Sequence, residues 1–319
     1  MKVLFLDTVH PCLEALLKEK GVVCDHDYNS SKQNIEEKIS AYEGIVIRSR
    51  ISMDETLLQK ARRLKFIARS GSGMENIDTG YAKSQNIKLF NSPEGNKDAV
   101  GEHAIGMLLM LLNQLKKSDA EVRQLTWDRD GNRGHEIAGK TIGIVGYGQM
   151  GSSFAKKLIG FDCKILAFDK YKKNFGADHV IESSLQQILD NADIISFHLP
   201  LTDETKYYFD KQFIANLKKP VYLINTSRGK IVNTFDLVEG LKNGTVKGAC
   251  LDVLEYEKNS FEFSENKNIP NELDFLLKSD KVVLSPHVAG WTHESYYKLS
   301  KILADKILGD KELFPTKNT

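Results

Sequence analysis

Short runs of β-branched and other apolar residues alternate with helix-period segments along the whole 319-residue chain, and nothing else constrains its fold as strongly. Strands separated by helical crossovers pair most readily in parallel, so the alternation predicts an α/β architecture with helices on both faces of its sheets. The runs fall into two series. Lys2–Leu6, Val22–Cys24, Gly44–Arg48, Lys65–Arg69 and Ile87–Phe90 form the first, with helical stretches such as Cys12–Lys20 and Asp54–Arg63 between them. Thr141–Val145, Lys164–Phe168, Asp193–Phe197, Val221–Asn225, Ala249–Val253 and Lys281–Leu284 form the second. At ~100–200 residues per domain, two series predict two doubly wound parallel-sheet domains.

Two segments stand outside this rhythm. A helical pattern from about Val100 to Leu125 is apolar all round in its first half, which predicts burial in a core or, with equal weight, against a second copy of the chain. Lys258–Ser279 is rich in Asn, Glu, Ser and Lys, with Phe261, Phe263 and Phe275 interspersed, and reads as a long surface excursion.

Composition removes several classes of protein. Lys and Arg number 44 against 43 Asp and Glu, a net charge of +1 without a basic stripe, so nucleic acid is not an expected partner. The longest apolar run, Ala104–Leu112, is too short to cross a bilayer, and Asp7 interrupts the N-terminal run too early for a signal peptide. Cys12, Cys24, Cys163 and Cys250 lack metal-ligand spacing, which suits reduced thiols in a cytoplasm and predicts no bound metal.

The second series opens on a glycine motif. Gly146-Tyr147-Gly148-Gln149-Met150-Gly151 follows the strand Thr141–Val145 and precedes a helical pattern, Ser152–Leu158. In that context the first glycine permits a tight turn, the second lets a pyrophosphate approach the backbone, and the third lets helix and strand pack closely. Asp169 ends the next strand, about twenty residues after the motif, where a carboxylate holds an adenosine ribose. A carboxylate there would repel a 2′-phosphate and favours NAD over NADP, whereas Lys170, Lys172 and Lys173 argue the other way. A shorter loop, Gly71-Ser72-Gly73, follows a strand of the first series and reads either as a simple turn or as a cradle of backbone amides for a small anion.

Ligands of open parallel sheets bind beyond the carboxyl ends of the strands. Four such ends in the second series carry polar residues: His198-Leu199-Pro200, Thr226-Ser227-Arg228-Gly229, Asp252 with Glu255 and Glu257, and Ser285-Pro286-His287. Arg228 suits bidentate binding of a carboxylate, and a histidine paired with a carboxylate can exchange a proton near neutral pH. Each also has a plainer reading: a surface guanidinium, a solvated acid, a hydrogen-bonded histidine. His103, beside Glu102 on the long helix, reads as structural.

Together these segments resemble the D-isomer-specific 2-hydroxyacid dehydrogenases over essentially the whole chain, with phosphoglycerate dehydrogenases the nearest branch. The matching stretches are Thr141–Gly151, His198–Thr205, Asn225–Gly229, Leu251–Glu257 and Ser285–Thr292. The resemblance implies a Rossmann NAD-binding domain, residues 99–286, inserted into a flavodoxin-like substrate domain, residues 1–98 and 287–319, with hinges near Asn96–Gly101 and Leu284–Ala289. It implies Arg228, Glu257 and His287 as the catalytic set: His287 exchanges the hydroxyl proton, Glu257 holds it, and Arg228 binds the substrate carboxylate. Asp252 would approach the nicotinamide, and His198, Pro200, Thr205 and Thr226 would border the NAD. Ser72 and Gly73 would give amides to the carboxylate, and Arg48, Ser49, Arg50 and Asn96 would surround a substrate phosphate. These point to 3-phospho-D-glycerate and serine biosynthesis, with glyoxylate, hydroxypyruvate and D-lactate as alternative substrates and an NAD-sensing, corepressor-like binding protein as an alternative of another kind. The resemblance also implies a homodimer built on the long helix, and a short form without a regulatory domain. Two departures bear on the substrate: Trp291 stands where relatives carry a small residue, and Lys258 replaces the usual proline after the catalytic glutamate.

Overall fold

Five parallel strands follow the first series: β1 (Lys2–Phe5), β2 (Val23–His26), β3 (Gly44–Ile47), β4 (Phe66–Arg69) and β5 (Lys88–Asn91), in the order β2-β1-β3-β4-β5. These come from a computed structural model that describes residues 1–257 and 269–315. The order is that of a flavodoxin-like sheet. Every residue of β3 and β4 is buried, so both faces need cover. Leu13 and Leu17 of the helix Cys12–Glu19 cover one face together with Leu303, Ala304 and Ile307 of the helix His293–Leu308. Ile35, Leu57 and Leu58 cover the other. The cap residues set the helix starts: the Asp54 carboxylate accepts the Leu57 N–H, and Thr292 and Ser295 form a reciprocal capping box.

The second series builds seven parallel strands among the described residues: β6 (Thr141–Val145), β7 (Lys164–Phe168), β8 (Ile181–Glu182), β9 (Ile194–Phe197), β10 (Val221–Asn225), β11 (Val246–Leu251) and β12 (Val282–Leu284). Their order, β12-β11-β10-β9-β6-β7-β8, is the Rossmann order with one further strand, and it reverses direction at β6. The glycine motif follows β6, at that switch point. The chain thus divides into two units, Met1–Asn96 with Trp291–Thr319, and Lys97–Gly290.

The long helical pattern is two helices, Lys97–Leu112 and Leu115–Arg123, separated where Gln114 turns into the left-handed region at φ 50°. Ala104, Met107, Leu108 and Leu111 pack on Ile142, Ile144 and Phe154, so the apolar half is buried in the core of its own unit. Residues 258–268 of the polar excursion, with Phe261 and Phe263, lie outside the described residues. Its remainder corrects the loop reading. Asn271–Lys278 is a helix that buries Leu273 and Leu276 and packs Phe275 on the core. Pro270 ahead of it and Glu272 and Asp274 in its first turn suit a helix start.

Candidate active site

The glycine loop can be built from its backbone upward. Gly146 sits at φ 94°, and a Cβ there would overlap the carbonyl of His198. Only glycine holds that turn without strain. The helix Gln149–Lys157 begins directly after it, and its N-cap, Gly148, has no side chain to satisfy the first amides. Those amides are therefore available to an anion. A Cβ at Gly148 would meet no atom within 4 Å, so the backbone there is open to close approach. At the end of β7 the Asp169 carboxylate accepts N–H bonds from Tyr147 at 2.8 Å, Tyr171 at 3.0 Å and Lys172 at 2.8 Å. Burial alone would raise its pKa, but these amides and the Lys172 charge outweigh it and hold the group below its usual range. The hydroxyl of Thr226, beyond β10, is buried without a hydrogen-bond partner. A buried orphan hydroxyl calls for a ligand group. Open amides, a pinned carboxylate and an unsatisfied hydroxyl together fit a dinucleotide.

Arg228 follows β10 on a turn fixed by its neighbours. Asn225 Nδ2 donates to the Arg228 carbonyl at 2.9 Å, the Ser227 hydroxyl donates to the Phe197 carbonyl, and Arg228 Nη1 donates to the Ser227 carbonyl at 2.7 Å. A Cβ at Gly229 would overlap the Leu254 carbonyl, so glycine lets this turn lie against the segment that leads to Glu257. Glu257 Oε1 accepts the Leu254 N–H, and Oε2 lies 2.7 Å from His287 Nδ1. One oxygen fixes the glutamate; the other fixes the imidazole. Glu255 acts elsewhere, where its carboxylate accepts both the N–H and the hydroxyl of Thr234, at 3.0 and 2.9 Å.

His287 adopts φ 56°, a conformation unusual for a residue with a side chain. Asp252 imposes it. The Asp252 carbonyl accepts the His287 N–H at 2.7 Å, and its carboxylate accepts the Val288 and Ala289 N–H groups at 2.9 Å each and the Ser285 hydroxyl at 2.6 Å. His103 Nε2 lies 2.9 Å from the same hydroxyl and 3.6 Å from the carboxylate. With its side chain 1% exposed and both oxygens engaged, Asp252 organises the histidine loop.

Other expected cofactor neighbours have partners of their own within the fold. The His198 ring packs on Phe154 with Nε2 2.9 Å from the Ser196 hydroxyl, and burial drives its pKa down to about 3. The imidazole is neutral, and the His198 carbonyl lies against the glycine turn. Thr205 closes its own loop, its hydroxyl donating to the Pro200 carbonyl at 2.6 Å. Gln149 Oε1 accepts a bond from Lys97 at 3.2 Å. Tyr147 stacks on Phe175 with centroids 4.5 Å apart.

In the first unit the two expected arginines have different partners. The Arg50 guanidinium donates to three backbone carbonyls, of Leu6, Ser30 and Asp27, at 2.6–2.7 Å. The Arg48 guanidinium lies 4.1 Å above the Trp291 ring, without an ion pair among the described residues. Trp291 in turn meets Tyr296 edge-on at 5.6 Å. Asp7, beyond β1, accepts the amides of Arg48 and Ser49 at 2.6 and 3.1 Å and shapes this loop. The buried Arg69 adds a bond from Nε to the Arg48 carbonyl at 3.1 Å. Ser72 donates its hydroxyl to Asn96 Oδ1 at 2.8 Å, and Asn91 binds the Ser72 carbonyl. The strand-end position of Asp7 and Arg69 was the available signal for both. Among the described residues there is no cluster suited to a metal ion and no helix long and apolar enough to cross a membrane.

Residues 105–289 match the family described as D-isomer specific 2-hydroxyacid dehydrogenase, NAD binding domain. A D-3-phosphoglycerate dehydrogenase of Archaeoglobus fulgidus is 31% identical over 320 residues, 100% of this chain and 59% of that protein. A hydroxypyruvate reductase of Thermotoga maritima is 32% identical over 84% of each chain. The structure of a D-lactate dehydrogenase from Aquifex aeolicus, complexed with NAD and lactic acid, superposes with a TM-score of 0.82 at 28% identity, covering 98% of this chain and 97% of that one. The two sheets and the glycine loop therefore define an α/β protein with a dinucleotide-binding domain. More particularly, this chain belongs to the D-isomer-specific 2-hydroxyacid dehydrogenase family and carries its NAD-binding domain. It spans 48–59% of the length of the phosphoglycerate dehydrogenases it matches.

Proposed function

We propose that the chain is an NAD-dependent D-2-hydroxyacid dehydrogenase. The observation that carries this reading is the 2.7 Å pair of Glu257 Oε2 and His287 Nδ1 at the strand ends of the NAD-binding unit. NAD, when bound, accepts or returns the hydride on the substrate's C2. Arg228 supplies a planar fork for the substrate carboxylate and polarises the neighbouring carbonyl. His287 exchanges the proton of the C2 oxygen through Nε2, the nitrogen that Glu257 does not hold. Glu257 fixes the tautomer and stabilises the imidazolium that forms when His287 takes that proton. Asp252 keeps the histidine loop in its strained conformation throughout.

For the substrate we favour a 2-oxo acid with a second anionic group, 3-phosphohydroxypyruvate before hydroxypyruvate. The Arg48 guanidinium, partly desolvated on Trp291, supports this reading, as do the relatives named D-3-phosphoglycerate dehydrogenase. Arg50, held on three backbone carbonyls, is proposed to add its charge beside Arg48 and Ser49. Ser72, Gly73 and Asn96 are proposed to line the substrate. A cytoplasmic homodimer is part of the same proposal. Leu125 and Trp127, 95% and 79% exposed just past the helix Leu115–Arg123, supply apolar surface for a second copy. Steady-state rates with NADH on phosphohydroxypyruvate, hydroxypyruvate, glyoxylate and pyruvate test the proposal. The highest kcat/KM is expected for phosphohydroxypyruvate; equal values across the panel would remove Arg48 from substrate choice, and no turnover on any would favour a binding protein.

A further inference from the structure

Three lysines follow Asp169, and a chain that selects NAD over NADP must keep them from rewarding a 2′-phosphate. The structure commits each one. Lys172 Nζ lies over the Tyr147 and Phe175 rings at 5.3 and 5.8 Å and donates to the Tyr147 carbonyl. Lys173 donates to the Asp169 carbonyl at 3.4 Å. Lys170 differs, because it meets a carboxylate from another loop: its Nζ is 2.7 Å from Glu204 Oε2. The Tyr171 hydroxyl donates to the same oxygen at 2.8 Å.

The topology gives this cluster its meaning. Asp169 ends β7, and Glu204 lies in the loop beyond β9. The sheet order β9-β6-β7 puts the glycine loop, at the end of β6, between those two. Lys170–Glu204 therefore ties together the loops that flank the glycine motif on either side. We propose that Glu204 is a second specificity-determining residue for the cofactor, acting with Asp169 to exclude NADP. It neutralises Lys170, the lysine of the three that meets a carboxylate from another loop, and it adds a carboxylate of its own. A 2′-phosphate brought to Asp169 then meets two carboxylates, with Lys172 and Lys173 held by rings and backbone carbonyls.

The bridge is solvent-exposed, so its effect on affinity is a few-fold, not orders of magnitude. Calorimetric titration of the full chain with NADH and with NADPH, without substrate, tests it directly. Glu204→Gln should lower the ratio of the NADPH and NADH dissociation constants about fivefold, almost entirely through tighter NADPH binding. Glu204→Asp should keep the parent ratio, and adding Lys170→Met to Glu204→Gln should cancel the gain. An unchanged ratio, or parallel weakening of both cofactors, would show a bridge that merely braces two loops and would overturn the proposal. The inference rests on NAD binding by this family. Failure of the parent chain to bind either cofactor would overturn both, whereas NADH binding with an unmoved ratio would overturn this inference alone.

Discussion

Asp252 grips the loop of His287 from two directions: its carbonyl takes the His287 N–H at 2.7 Å, and its carboxylate takes the next two amides. The catalytic candidate is therefore set by a residue whose side chain is almost wholly buried. Asp252→Asn keeps the size but turns one acceptor into a donor facing an N–H group. A fall in kcat of about 10- to 100-fold with little change in KM is expected. A variant with full kcat would show that the left-handed backbone at His287 needs no such support.

Arg228 is held by its own turn, with Nη1 on the Ser227 carbonyl. Arg228→Lys keeps the charge and loses the fork. If the guanidinium binds the substrate carboxylate, KM for the oxo acid rises about 10- to 100-fold while the NADH dissociation constant, read by calorimetry, stays put. An unchanged KM would place the carboxylate elsewhere.

Arg48 and Trp291 share a stacked contact at 4.1 Å. Trp291→Ala releases the guanidinium into solvent, so kcat/KM for phosphohydroxypyruvate should fall several-fold more than that for pyruvate. Parallel losses on both substrates would mean that the pair supports the fold and not the choice.

His198 sets a stability dependence on pH. Its pKa in the fold is about 3, against 6.5 ordinarily, so between those values the unfolded chain binds the proton more readily. Stability therefore falls as pH drops from about 6.5 toward 3, by at most about 1.4 kcal/mol per pH unit from this one group. Urea unfolding at pH 4.5, 5.5 and 7 should show a shallower acid loss for His198→Gln than for the parent chain. Identical slopes would mean that the imidazole is not desolvated.

Most of the parallel strands were legible because β-branched runs between helical segments admit few other arrangements. Ile181–Glu182 was not, since two residues at a sheet edge leave no periodicity. The break at Gln114 is silent in the sequence for a related reason: its left-handed backbone is carried by a residue that does not advertise a turn. The helix Asn271–Lys278 carries its own stripe, Leu273 with Leu276 and Leu277 at i+3 and i+4, but it is short and follows a polar run that masks it. At the strand ends, position was readable and direction was not. Asp252, His198 and Arg50 stand where ligand-binding residues stand, yet each spends its polar atoms inside the fold. Spacing along a chain places a Cα, whereas the choice of partner depends on rotamers and on residues distant in sequence, such as Ser30 for Arg50 and His103 for Asp252.

The most direct measurement is the rate of NADH oxidation with phosphohydroxypyruvate and hydroxypyruvate by the parent chain and by His287→Gln, alongside calorimetric NADH titration of both. If His287 exchanges the proton, the variant binds NADH as the parent does and loses at least about 10²-fold in kcat. A variant that binds NADH normally and turns over at the parent rate would contradict the Glu257–His287 pair as the catalytic centre of this chain.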